Sequence, residues 1–215
     1  MPEPIKALIF DAEGVVIDTI RSVWIPADIE FCRRQGFGYP DELKNLLGGT
    51  RVADGVEIIK KYFNIDKDSA ELLKERLEIT SQFFKEKLDF VPGFTEFFAK
   101  HKNLPAAIAT SLRPEYLAIV ENKLHLSNFF GQEIYNVYDT NSRSKPAPDV
   151  FLYAANKLGI DPKYCVVFED TGNGLKAAKT AGMRSVGITT TFTRDFLTDA
   201  TIVVDTYDQI DLSIL

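Results

Sequence analysis

The chain has 215 residues, 45% of them hydrophobic and 26% charged, a composition that supports a packed core and excludes disordered, collagen-like and low-complexity classes. Lys and Arg total 25 against 31 Asp and Glu, a formal charge of −6, which argues against nucleic acid or an anionic membrane surface as a general partner. Only Cys32 and Cys165 are present, too few for a disulfide framework, so a reducing, cytoplasmic setting is expected.

In chain order, Met1-Pro2-Glu3-Pro4 carries an acid where a signal peptide would have a basic region. It leads into a first strand-like run, Ala7-Leu8-Ile9-Phe10. Residues 20–89 then show helical periodicity over Ser22–Gln35, Asp41–Leu47, Val52–Phe63 and Lys67–Leu88, with no convincing strand. The Lys/Glu-rich stretch Lys67–Lys87 reads as a solvated helix face, and Phe90-Val91-Pro92-Gly93 punctuates the end of the segment. Beyond it, strand-like runs at Ala106–Ala109, Cys165–Phe168, Arg184–Ile188 and Thr201–Val204 alternate with helical stretches at Thr95–Lys102, Glu115–Leu124, Asp149–Leu158 and Leu175–Ala181. Cys165 reads as a small core residue within its run. Continuous apolar runs suit strands of a parallel sheet covered on both faces. No segment approaches the ~20 apolar residues of a membrane span. The expectation is an α/β fold: a doubly wound, Rossmann-like core made of residues 1–19 and 90–215, with an α-helical domain of residues 20–89 inserted after the first strand.

The first three core runs end in polar groups: Phe10-Asp11-Ala12-Glu13-Gly14, Ala109-Thr110-Ser111, and Phe168-Glu169-Asp170-Thr171-Gly172-Asn173-Gly174. In open α/β sheets ligands bind outside the carboxyl ends of the strands, so these groups converge if the strands are neighbours. Lys145 adds a cation in a loop stiffened by Pro146 and Pro148. Asp11 and Asp170 are hard oxygen ligands suited to Mg²⁺, Thr110 offers a hydroxyl to a phosphoryl oxygen with Ser111 beside it, and Lys145 can neutralise a phosphate and a carboxylate together. Phosphoryl transfer needs chiefly this kind of positioning and charge neutralisation. Taken singly, each group has a plainer reading: a turn at Asp11, a helix N-cap pair at Thr110-Ser111, a cap by Asp170 on a helix beginning near Gly174, and a surface lysine at Lys145.

Phe10–Thr19, Thr110, Lys145-Pro146-Ala147-Pro148-Asp149 and Phe168–Gly174 resemble the four motifs of the haloacid dehalogenase-like hydrolases, and the similarity continues through Ala177–Met183. The nearest resemblance is to β-phosphoglucomutases and small-ester phosphatases with a helical cap inserted after the first motif. The resemblance implies that Asp11 is a nucleophile forming an aspartyl-phosphate, with Thr110 and Lys145 holding the phosphoryl group. It also implies Mg²⁺ on the side chains of Asp11 and Asp170 and the backbone carbonyl of residue 13, with Glu169 helping through metal-bound waters or by orientation. Arg51, in Gly48-Gly49-Thr50-Arg51, and Arg113 fall near positions where mutases bind a remote phosphate; the plainer reading is solvated helix-end arginines.

The chain departs from the family pattern at Glu13, where the pattern has a second Asp as acid and base. Glu retains the proton chemistry but shifts the carboxyl by a methylene. No His follows the first motif as it does in mutases; Ser22-Val23-Trp24 occupies that region, with Trp24 read as packing and His101 and His125 as surface or helix-end residues. The expected activity is Mg²⁺-dependent hydrolysis of phosphate monoesters of small metabolites by a monomer, with neither nucleic acid nor a membrane as partner. The alternatives are a sugar phosphomutase, a phosphate-binding relative of low activity, and a receiver-like signalling module, the last disfavoured because the candidate Asp follows the first strand and a domain is inserted after it.

Overall fold

The computed structural model describes residues 3–47, 52–140 and 143–215, and the chain divides into two compact units, 1–18 with 89–215, and 19–88. The first unit is built on a sheet of β1 (Ala7–Phe10), β2 (Ala106–Thr110), β3 (Ile134–Asn136), β4 (Cys165–Glu169), β5 (Arg184–Ile188) and β6 (Ile202–Val204). The order is β3-β2-β1-β4-β5-β6 with every pairing parallel. The chain therefore builds outward from β1 to one edge, returns, and builds outward from β4 to the other. The reversal falls between β1 and β4, whose register pairs Phe10 with Phe168, and a crevice at such a reversal is where open α/β sheets bind ligands.

Side chains alternate across the sheet, so each strand feeds two unlike faces. On one, Ala7, Ile9, Ala107, Ala109, Cys165 and Val167 pack with Val150, Phe151, Ala154 and Ala155 of a helix at Asp149–Leu158 and with Ala177 and Ala178 of another at Gly172–Thr180. The run of alanines lets these helices lie close to the strands. On the other face Phe10 stacks on Phe168, with ring centroids 4.5 Å apart, and meets Phe94 and Phe130 edge-on. Phe94 belongs to a helix at Phe94–His101, whose N-cap Gly93 has φ +85° and could not gain a Cβ without approaching Tyr207 Cβ to 3.1 Å. Cys32 and Cys165 are buried free thiols, and burial pushes each up to about 11, so both are inert packing groups. No described helix is long and apolar enough to cross a membrane.

Counting along the chain, the helices are α1 (Ile25–Arg34), α2 (Asp41–Leu47), α3 (Val52–Phe63), α4 (Ser69–Lys87), α5 (Phe94–His101), α6 (Pro114–Leu124), α7 (Ser127–Phe130), α8 (Asp149–Leu158) and α9 (Gly172–Thr180). A π-helical turn at Ile20–Trp24 leads into α1. The second unit consists of that turn and α1–α4, around Ala27, Phe31, Cys32, Leu43, Val56, Ile59, Leu72 and Ile79. Asp68 caps α4 through the amides of Ala70 and Glu71, and Trp24 packs edge-on against Phe84.

One charge in the stretch expected to be a solvated face is buried. Arg76 is 4% exposed and donates to Asp28 of α1 at 2.9 and 2.8 Å and to the Val52 carbonyl of α3 at 2.7 Å. It thereby ties three helices together, and Gly55 leaves it room, since a Cβ there would sit 2.3 Å from Arg76 Nη1. Burial raises the Asp28 carboxyl while Arg76 pulls it back. Removing one partner would strand a buried charge, so Arg76→Ala is expected to cost about 3–5 kcal/mol of stability in urea titrations; a loss below about 1 kcal/mol, the worth of a solvated pair, would contradict this account of α4.

Candidate active site

The β1–β4 register builds the centre of the site. The Asp11 amide donates to the Phe168 carbonyl at 2.9 Å, which places Asp11 and Glu169 side by side where the two buried strands end. Lys145 Nζ bridges them, 2.5 Å from Asp11 Oδ1 and 2.7 Å from Glu169 Oε1, and itself lies 4.7 Å from the centroid of the Phe151 ring. Burial raises the Asp11 carboxyl, and Glu169 and Glu13 add to that while Lys145 opposes it. Burial also works against the Lys145 charge, but Asp11 and Glu169 more than offset it and hold the ammonium well above its ordinary range. The plain surface-lysine reading of Lys145 is thereby overturned.

Glu169 is fully engaged. Its Oε2 accepts from the amides of Asp170 and Thr171 and from the Thr171 hydroxyl at 2.8–2.9 Å, while its Oε1 takes Lys145. Of the two contributions implied for it, through metal-bound waters or by orientation, this bonding accords with orientation. Asp170 caps nothing: α9 begins at Gly172 and its N-cap is Thr171, which accepts from the Gly174 amide. The carboxylate of Asp170 is left to the site, where Thr191 Oγ1 donates to its Oδ2 and its Oδ1 is buried with no hydrogen-bond partner among the described residues. Burial, then Glu169 and Asp11, push Asp170 well above the usual carboxylate range.

An orphaned carboxylate oxygen in a field of further carboxylates fits a hard cation. No group of three or more His, Cys, Asp or Glu among the described residues could hold a metal ion; Mg²⁺ takes only one or two carboxylates, beside waters and substrate oxygens.

The segment after Asp11 is fastened at four of its carbonyls. The Ala12 carbonyl accepts from the amides of Val15, Val16 and Ile17, Gly14 accepts from Thr190 Oγ1, Val15 from the Tyr207 hydroxyl, and Val16 from the Val91 amide. Glu13, half-buried, sits in this fastened turn near enough to Asp11 to act on its ionisation. Thr110 is buried and its Oγ1 accepts from the Leu112 amide. It is not a helix cap, because α6 takes Arg113 as N-cap residue without a side-chain bond. Ser111 is exposed. Arg113 pairs with Glu115 at 2.6 Å and is 64% exposed, the solvated helix-end arrangement. Arg51, with Gly48, Gly49 and Thr50, lies outside the described residues. His101 Nδ1 lies 2.9 Å from the Phe97 carbonyl and His125 ends α6 in a left-handed conformation.

The sequence reading missed Thr171, Thr190 and Thr191. The signal was available for the last two: Thr189-Thr190-Thr191 follows β5 as Asp11 follows β1.

Residues 5–182 match a family model described as haloacid dehalogenase-like hydrolase. A phosphorylated carbohydrates phosphatase of Thermotoga maritima is 32% identical over 185 residues, covering 84% of this chain and 83% of that protein. A β-phosphoglucomutase of Bacillus subtilis is 30% identical, covering 85% and 83%. Among solved structures, a haloacid dehalogenase-like protein of Agrobacterium tumefaciens superposes with a TM-score of 0.81 at 24% identity, covering 98% of this chain and 97% of that one; it shares the fold.

The support of Glu169 can be tested at Gly174, where a Cβ would fall 1.8 Å from Glu169 Oε1. Within a helix Gly→Ala is ordinarily stabilising by about 1 kcal/mol. Here Gly174→Ala is expected instead to lower the melting temperature, by about 2–4 °C for each kcal/mol lost. A raised melting temperature in calorimetry would contradict the packing of Glu169 against α9.

Proposed function

The chain belongs to the haloacid dehalogenase-like hydrolase family, and within it we propose a Mg²⁺-dependent phosphatase that hydrolyses phosphate monoesters of small metabolites through an aspartyl-phosphate on Asp11. The observation that carries this reading is Asp11 at the β1–β4 reversal, bonded to Lys145 and adjacent to the charge field that surrounds the unpartnered Asp170 Oδ1. The name of the Thermotoga relative supports a small phosphorylated metabolite as the substrate class. In this reading residues 19–88 act as a cap that contacts the rest of the substrate, with Arg51 its candidate for a remote anion.

An Asp11 carboxylate oxygen attacks phosphorus, the bond from phosphorus to the ester oxygen breaks, and the departing oxygen takes a proton from Glu13. Glu13 then takes a proton from water, whose oxygen attacks phosphorus and breaks the bond to Asp11, releasing inorganic phosphate. Lys145 neutralises Asp11 during approach and meets the phosphoryl oxygens afterwards. Thr110 Oγ1 accepts from Leu112 and so keeps its own hydrogen for a phosphoryl oxygen. Glu169 holds Lys145 and the turn into α9. When bound by Asp11, Asp170 and the Glu13 carbonyl, Mg²⁺ would supply neutralisation of phosphoryl charge. A sugar phosphomutase would use the same first step, and the Bacillus relative carries that name; release of inorganic phosphate, against isomerisation of a sugar phosphate primed by a bisphosphate, separates the two.

A hydrolysis screen over sugar phosphates, phosphoglycolate, nucleotides and a chromogenic monoester is expected to show turnover that EDTA abolishes and Mg²⁺ restores. Asp11→Asn, nearly isosteric, should lose several orders of magnitude in kcat with its melting temperature retained. Full activity in chelator, or in the Asn variant, would sink the reading.

Glu13 gives a second test. Glu13→Gln should slow turnover by about 10²–10⁴-fold, the worth of a positioned acid–base group. Because the turn around Glu13 is fastened at the carbonyls of Ala12, Gly14, Val15 and Val16, the site is read as adapted to Glu, so Glu13→Asp should also lose activity, a misplacement of about 1 Å being worth about 10²-fold. A gain in Glu13→Asp would mean that Glu13 handicaps the site instead.

A further inference from the structure

Asp170 presents two chemically equivalent oxygens in two different settings. Oδ2 accepts from Thr191 Oγ1 and lies against Gly14, where an added Cβ would stand 1.9 Å from Oδ2 and 2.8 Å from Thr191 Oγ1. Gly14 has φ +70° and its carbonyl is held by Thr190 Oγ1 at 2.5 Å, so that wall cannot swing away without breaking the neighbouring hydroxyl bond. Oδ1 is buried and unpartnered among the described residues. Two consecutive threonines after β5 therefore close one side of the carboxylate and leave the other.

We propose that Thr191 is a positioning residue that makes Asp170 a one-oxygen ligand and thereby sets which divalent cation the site prefers. This rests on the reading of Asp170 as a cation ligand. A bidentate carboxylate needs both oxygens facing the ion, and Oδ2 is closed off by a hydroxyl and by the Gly14 backbone. Mg²⁺ is content with single oxygens at about 2.0–2.1 Å in an octahedron. Ca²⁺ takes about 6–8 oxygens at about 2.3–2.6 Å and readily uses carboxylates two oxygens at a time. Holding Oδ2 with Thr191 therefore favours the smaller ion twice, by aiming Oδ1 and by withholding the second oxygen from Ca²⁺. Partners that orient a metal ligand are typically worth about 10–100-fold in affinity.

The test uses the whole protein and reads binding without turnover: the melting temperature of the metal-stripped protein titrated with MgCl₂ and, separately, with CaCl₂, since a ligand of the folded state raises it with concentration. Thr191→Val removes the donor at constant size. It should melt somewhat below wild type in EDTA, because Asp170 Oδ2 loses its donor; measured from that baseline it should weaken Mg²⁺ by about 10-fold or more and leave Ca²⁺ unchanged or tighter, so that the Mg²⁺/Ca²⁺ preference shrinks by a similar factor. Thr191→Ser, which restores the hydroxyl, should stay near wild type in both. Should the Val variant not fold, Thr191→Cys, a weak donor, carries the same expectation in smaller measure. Wild-type responses to both ions in Thr191→Val, or loss of preference in Thr191→Ser as well, would overturn the proposal while leaving the phosphatase reading intact. No response of the wild-type protein to Mg²⁺ would remove the cation role of Asp170 itself, and this inference with it.

Discussion

Everything in the α/β unit is organised by one electrostatic requirement. Asp11, Glu169 and Asp170 are all buried at the ends of β1 and β4, and burial together with repulsion opposes ionisation of Asp11 and Asp170. Lys145 meets two of them directly, and the amides at the start of α9 with the Thr171 hydroxyl take the remaining oxygen of Glu169. Asp170 keeps a buried oxygen, Oδ1, with no hydrogen-bond partner among the described residues. A buried carboxylate oxygen without a hydrogen-bond donor, beside the reversal point of the sheet, suits a ligand that brings positive charge.

The sheet supplies the precision this requires. Asp11 and Glu169 are held in register by the β1–β4 ladder, and Phe10 and Phe168, one position earlier on each strand, stack beneath them. Movement of either carboxylate would have to drag a ring out of an aromatic layer that includes Phe94 and Phe130. On the opposite face the alanines of β1, β2, α8 and α9 allow close helix packing, and α8 is the element that follows the Lys145 loop. Packing density on one face and ring stacking on the other therefore fix the charges that the chemistry uses.

Most of this was legible in the sequence because the strands are continuous apolar runs and the functional groups stand at their ends; β1, β2, β4 and β5 lie where the runs are. β3 was not, since Ile134–Asn136 is a three-residue edge strand, half-buried, with no apolar run to mark it. Asp11, Thr110, Lys145 and Asp170 announced themselves by position, whereas the bonding of Glu169 depends on where α9 starts, and the helix begins two residues before the expected Gly174. Arg76 and Asp28 were invisible for a different reason. They are 48 positions apart in helical segments rich in charge, and nothing in the periodicity separates a charge that pairs in the interior from one that faces water. Thr191 stands in the polar tract after β5, a place the sequence does mark, but its bond to Asp170 is tertiary.

The central claim is that a side chain, Asp11, carries the phosphoryl group between substrate and water. Acid-quenching the protein during turnover of a phosphate ester, reducing with borohydride, and mapping peptides by mass spectrometry reads that group directly, because an aspartyl-phosphate is reduced to homoserine while an unmodified Asp is not. The account predicts homoserine at position 11 and at no other acidic position. A phosphorylated Thr110 or Ser111, or an unmodified Asp11 under conditions of steady turnover, would contradict it.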